Sequence, residues 1–247
     1  MLIGEPPRTQ ADLNFTLFGF PVRVHPLFWL VALVLGMKLG NAADVLTWVV
    51  AVFVSILFHE LGHATAMRAY GYRPWITLYG MGGLASYGER DAYGARSSPR
   101  EHVLISLAGP GAGFLLAALI CAAVLLTGHR MDFALGGSYG IDVNILELVG
   151  SARFTWFLQI MLFINILWGL VNLLPVYPLD GGQVAREILL YRNPGEGIRQ
   201  SLMLSIATAV LLAVYGLRVD LFITLLFGYL AYMSYTTLRA YGGQRPW

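Results

Sequence analysis

A single cysteine, Cys121, is all that the 247 residues carry, so an internal disulfide and a cysteine-built metal cluster are both excluded. Charge is scarce as well. Asp, Glu, Lys and Arg make up 12% of the chain against a hydrophobic share of 57%, whereas a soluble globular domain carries about twice that charge. The sixteen basic residues are scattered over separate loops and the formal net charge is only +2. No polyanion-binding face follows, and no nucleic-acid partner is expected. The first dozen residues lack the charged start and apolar core of a signal peptide, and read as a retained polar amino terminus.

In place of charge the chain has apolar length. Six runs, at residues 26–38, 45–70, 103–127, 154–174, 202–217 and 221–238, are long enough, or nearly so, for helices that cross roughly 30 Å of hydrocarbon at about 1.5 Å per residue. The first is short and must tilt, thin the bilayer or begin below its surface. Trp29, Trp48, Trp75 and Trp156 stand near run ends, where interfacial aromatic belts form. The expected fold is membrane all-α, six transmembrane helices in one membrane-embedded domain over residues 1–247. With the amino terminus inside, the outer loops hold only Lys38, Arg130, Arg153 and Arg218. The other twelve cations, Arg90, Arg96 and Arg245 among them, lie inside. The positive-inside rule then places both termini in the cytoplasm, with a cell membrane as the expected location.

Two stretches read as strands. Residues 13–17 and 22–24 alternate around Gly19-Phe20-Pro21 and predict a short hairpin at the membrane surface. Residues 72–88, between the second and third helices, are too glycine-rich to span and predict two short strands around a turn at residues 80–83. A sheet edge cannot face lipid, so this membrane-associated hairpin packs on protein or lines a wet cavity. It serves either as a structural plug or, through Gly82, Gly83 and Leu84, as an edge that captures an extended peptide by strand addition.

The second run ends in His59-Glu60-Leu61-Gly62-His63. On a helix His59 and His63 lie one turn apart on one face, able to share one metal ion, with Glu60 to the side. Neutral imidazoles suit zinc, an open position suits water, and a nearby carboxylate can take that water's proton. Ionisable groups inside an apolar run are costly unless they have such a function. The fourth run ends in Asn172-Leu173-Leu174-Pro175-Val176-Tyr177-Pro178-Leu179-Asp180-Gly181-Gly182. Two prolines break the helix there, which leaves Asp180 in irregular structure at membrane depth. The second and fourth helices both run inward, so Asp180 reaches the same side as the histidines. It is expected either as a third zinc ligand or as a helix-capping Asx turn. Asn172 could steady an oxyanion or tie helices, and Asn165 is expected to tie helices. Gly109 and Gly113 around Pro110 predict close helix packing. His102 and His129 are expected at interfaces, and Ser106 is not expected to be a nucleophile.

The two motifs together resemble the site-2 protease family of intramembrane metalloproteases, over about residues 22–190. The resemblance implies His59, His63 and Asp180 as ligands of one Zn2+ per chain and Glu60 as general base. It also implies a three-helix metalloprotease core, at about residues 44–190, with accessory helices at about 26–38 and 202–238. The hairpin at Gly82, Gly83 and Leu84 would present its edge to an unwound substrate. The chain departs from many members in having Gly113 where they carry Asn, and reads as a compact form without PDZ or CBS domains in cis. Expected partners are the lipid bilayer, a transmembrane protein substrate, and a regulatory membrane partner or a second copy. The competing reading is a catalytically silent metal-binding scaffold or metal transporter. A transporter would be expected to show paired repeats with polar breaks, which the last two runs lack.

Overall fold

The computed structural model of the chain describes residues 5–80, 82–88, 98–135 and 141–242. Met81 in the expected turn and Arg90, Arg96 and Arg245 of the inner-side cations fall outside the described residues. The chain divides into two compact units, residues 5–94 with 108–170, and residues 1–4, 95–107 and 171–247.

The first unit opens with strands β1 (Leu13–Leu17) and β2 (Phe20–Val24), then helix α1 (Pro26–Gly36) and a 3-10 turn at Met37–Leu39. Phe18 and Gly19, between the strands, both take positive φ, as a two-residue type I′ hairpin turn requires. Helix α1 has 11 residues, about 17 Å at the α-helical rise, well short of the hydrocarbon thickness. Five described helices, not six, are therefore long and apolar enough to cross a membrane. They are α2 (Ala42–Ala69), α3 (Pro99–Leu126), α4 (Ala152–Asn172), α6 (Gly197–Val219) and α7 (Leu221–Gly242).

Helix α2 starts at Asn41, whose side chain accepts from the Asp44 amide at 2.9 Å, an N-cap that satisfies one orphan donor. It stops where Gly71 turns left-handed, at φ +84°, and the Tyr72 amide returns to the Met67 carbonyl at 3.1 Å, closing the helix as a Schellman turn. Strands β3 (Pro74–Tyr79) and β4 (Gly82–Tyr87) then pair antiparallel. The two hairpins are not separate, as their local patterns suggested. Strand β2 pairs β3 in parallel, Val22 opposite Ile76, giving one sheet in the order β1-β2-β3-β4 with β4 at an edge. One sheet face, Phe20, Val22, Val24, Ile76 and Leu78, packs on Phe28 of α1 and on Leu57, Leu61 and Ala64 of α2.

The opposite face holds the amino-terminal segment. Glu5 accepts from Arg23 at 2.9 Å, the Thr77 hydroxyl at 2.6 Å and the Trp75 indole at 3.2 Å. Asp12 accepts from the Thr9 hydroxyl at 2.6 Å and from Arg23 at 3.0 Å. The Thr9 hydroxyl, with its amide and Arg23, lowers the Asp12 carboxyl from 3.8 to about 2.

Helices α2, α3 and α4 meet around Ala51, Ile160, Met161 and Ile164, with Leu116 and Ile120 packed alongside. A Cβ on Gly62 of α2 would overlap the Ala108 carbonyl of α3, so glycine is what lets the two backbones touch. Between α3 and α4, where a plain outer loop was expected, β5 (Met131–Leu135) and β6 (Ile141–Ile145) form an antiparallel hairpin.

In the second unit the segment after α4 turns into helix α5 (Asp180–Arg192). That helix was not expected. Its polar residues keep it from reading as a span, and two prolines and two glycines precede or open it. Gly181 and Gly182 press against the backbone of Leu173, Leu174 and Val176, where a Cβ would overlap main-chain atoms. The fully buried Val176 packs with Ala209 of α6 and Phe227, Leu230 and Ala231 of α7. Ser205 of α6 accepts from the Tyr177 amide at 3.0 Å, and the Ser234 hydroxyl of α7 donates to the Tyr177 carbonyl at 3.2 Å. The last two helices thus clamp the segment that carries Asp180. Their outward leucines, Leu211, Leu217, Leu221 and Leu225, are all exposed by more than half, as lipid-facing side chains would be.

Candidate metal centre

His59, Glu60 and His63 lie on the last turns of α2 and are 7, 5 and 7% exposed. Helical spacing stacks the two imidazoles, and their Nε2 atoms stand 3.2 Å apart. Two nitrogens bound to one zinc at about 2.0–2.1 Å in tetrahedral geometry lie roughly 3.3 Å from each other. The pair therefore fits one ion. Helix α3 makes room for it: a Cβ on Gly109 would overlap His63 Nε2 and come within 2.7 Å of His59 Nε2. From the sequence, Gly109 is expected only as a helix-packing residue. Its role beside the imidazoles had no local signal, because nothing in the sequence says which α3 residue faces the histidines.

Glu60 lies against the sheet. A Cβ on Gly83 would overlap the Glu60 carboxyl group, so the strand β4 backbone runs against that carboxylate. The structure thus brings His59, Glu60, His63 and Gly83 together, and places Gly82 and Leu84 on the same edge strand. Behind His59, Asn165 of α4 donates to the Ser55 hydroxyl of α2 at 2.9 Å and to the Met161 carbonyl at 2.8 Å. This is the interhelical tie expected of Asn165.

Asp180 and Asn172 belong to the second unit. Asp180 is half-buried and is the first residue of α5, after Leu179 as N-cap. It does not sit in irregular structure, as the two prolines suggest, because α5 begins at Asp180 itself, beyond Pro178 and its successor Leu179. Nor is it an Asx cap, since the cap residue is Leu179, with no side-chain cap bond. Asn172 is buried, at the carboxyl end of α4.

The model of peptidase family M50 matches residues 47–214, a stretch that includes all these residues. The chain belongs to peptidase family M50. It is 31% identical over 197 residues, 73% of its length, to Rip3 of Mycobacterium tuberculosis, which is named as a zinc metalloprotease. It is 28% identical over 181 residues, 71% of its length, to zinc metalloprotease MJ0392 of Methanocaldococcus jannaschii. The matches cover 44% of either relative, so the M50 chain spans less than half the length of these curated relatives. Its fold is similar to the solved site-2 protease from Methanocaldococcus jannaschii, with a TM-score of 0.58 at 20% identity, covering 92% of this chain and 95% of that one. Family and apolar helices together make it an integral membrane protein.

Proposed function

We propose that this M50 chain is an intramembrane endopeptidase that hydrolyses a peptide bond in or near a transmembrane segment of another membrane protein. The observation that carries the reading is the pairing of two converging imidazoles with a buried carboxylate that lies against an edge strand. His59 and His63 would hold the metal with Asp180 as third ligand, two imidazole nitrogens and one carboxylate oxygen offering one donor atom each. That donor set suits zinc with a fourth position open, without excluding cobalt or iron. When bound, zinc supplies Lewis-acid polarisation and lowers the pKa of a coordinated water to roughly 7.

The chain's own groups do the rest. Strand β4 offers main-chain hydrogen bonds along Gly82, Gly83 and Leu84 to a locally unwound substrate, in the manner of strand addition. Gly83 keeps that strand close enough for Glu60 to reach the scissile bond. Glu60 takes the proton of the attacking water and passes it to the departing amine. The amide of Asn172 donates a hydrogen bond to the developing oxyanion. Both termini lie on the cytoplasmic side, as the loop cations require.

Purified protein reconstituted with zinc and a panel of single-span membrane proteins tests this reading. The expected result is a fragment whose new terminus maps within or beside the membrane segment and which disappears on chelation. One bound zinc per chain with no cleavage of any panel member would favour the silent scaffold.

A further inference from the structure

The stretch that joins α4 to α5 has little means of holding itself. Pro175 and Pro178 bring no N–H to it. Its own main-chain bonds run from the Val176 amide to the Leu174 carbonyl at 2.7 Å and from the Leu179 amide to the Val176 carbonyl at 2.8 Å. Tyr177, between them, gives both polar groups of its main chain to other helices. Its N–H donates to Ser205 Oγ of α6 at 3.0 Å, and its carbonyl accepts from Ser234 Oγ of α7 at 3.2 Å. Both serines are buried, so water does not compete for either bond. The Ser205 hydroxyl spends its one proton on the Ser201 carbonyl, at 2.9 Å, and therefore turns a lone pair to Tyr177. The surroundings are Val176, Ala209, Phe227 and Leu230, apolar groups that offer a stranded N–H no other acceptor. Asp180 stands three residues after Tyr177, and the next two residues, Gly181 and Gly182, press on the backbone of Leu173, Leu174 and Val176. The chain is thus held on both sides of Asp180, by two hydroxyls before it and by glycine contacts after it.

We infer that Ser205 and Ser234 are positioning residues for Asp180, so that α6 and α7, expected as accessory helices, set the place of a metal ligand. A ligating side chain has to be held to about half an ångström of its productive position, and the partners that hold ligands in place tune metal affinity. Here the holding groups act on the main chain of the segment. Without the Ser205 lone pair, the Tyr177 N–H has to move to find another acceptor, and Asp180 moves with it. Loss of the Ser234 hydroxyl is milder, because a carbonyl left short of a partner is better tolerated than an N–H. The inference rests on the reading of Asp180 as the third ligand.

The test uses the purified full chain and measures zinc affinity by competition with a chromophoric chelator. Ser205→Ala is expected to bind zinc about tenfold more weakly than the parent, the lower end of what losing an orienting partner costs, and Ser234→Ala to lose less. In both, the visible bands of the Co(II)-substituted protein shift. Ser201→Ala is the control on the same helix, since its hydroxyl donates to the Ile198 carbonyl of α6 itself, at 2.8 Å. It should keep zinc affinity within about twofold of the parent, the usual scatter of independent effects. In an Asp180→Ala background, itself much weaker for zinc, adding Ser205→Ala should change affinity by no more than about twofold, because the ligand through which the serine acts is gone. A loss that persists in full in that background, an equal loss from Ser201→Ala, or folded serine variants that bind zinc as the parent does would each overturn the inference. If Ser205→Ala does not fold, Ser234→Ala decides alone through the same comparison. An Asp180→Ala protein that binds zinc as tightly as the parent would instead overturn the ligand assignment on which the inference stands.

Discussion

At Gly109 one methyl group separates an open centre from a filled one. Its ideal Cβ position overlaps His63 Nε2 and lies 2.7 Å from His59 Nε2, so Gly109→Ala is expected to push the imidazoles apart and abolish stoichiometric zinc binding. Overpacking of this kind costs about 1 to 3 kcal/mol, within what a folded domain tolerates. Zinc content by mass spectrometry, beside helix content by circular dichroism, checks both halves. Full zinc occupancy in a folded variant would contradict the geometry. Gly83→Ala probes the other side of Glu60. It should keep zinc, since the three atoms nearest the added methyl all belong to Glu60, yet lower cleavage by about tenfold or more by displacing the carboxylate from strand β4. A variant that loses zinc and cleavage together would mean that β4 supports the histidines rather than the substrate.

The elements differ in how far they could be read from sequence. The histidine pair was legible because its chemistry is local: four residues on a helix fix the face, and the apolar run fixes the helix. Asp180 was legible as a residue but not in its setting. The resumption of helix after Pro178 depends on Gly181 and Gly182 packing onto backbone already in place, a tertiary effect with no periodic signature. The parallel pairing of Val22 with Ile76 was hidden for a related reason, since each hairpin carries a turn signal of its own and nothing local says that they join. Gly109 and the Ser55–Asn165 link were hidden because interhelical facing is not encoded in a single run. The sheet also makes a prediction at its own scale. The carboxyl of Asp12 is held down to about 2, chiefly by the Thr9 hydroxyl. A depressed carboxyl pKa contributes stability that is fully present above its ordinary value of 3.8 and is lost as pH falls through the folded value. The amino-terminal segment should therefore become protease-sensitive between about pH 4 and pH 2. Asp12→Asn, which cannot titrate, should flatten that dependence. An unchanged pH profile in the variant would assign the release to another group.

For the molecule as a whole, five described helices long and apolar enough to span and a family match over residues 47–214 support an integral membrane protein of family M50, whose orientation is open to direct measurement. In a Cys121→Ala background, a single cysteine at residue 193 should react with a membrane-impermeant maleimide only from the cytoplasmic side. One at residue 40 should react only from outside. The reverse pattern would refute the proposed topology. Glu60 is proposed to transfer a proton beside a metal held by its neighbours, and the Glu60→Gln variant separates that role from metal binding. Parent and variant, reconstituted in the same vesicles with a cleaved substrate, are compared for bound zinc and for product. The expected result is one zinc per chain in both, with cleavage lower in the variant by about 10²- to 10⁴-fold, the range for removing a general acid–base group. Cleavage at the parental rate in a variant that still holds its zinc would rule out Glu60 as the proton-transfer group.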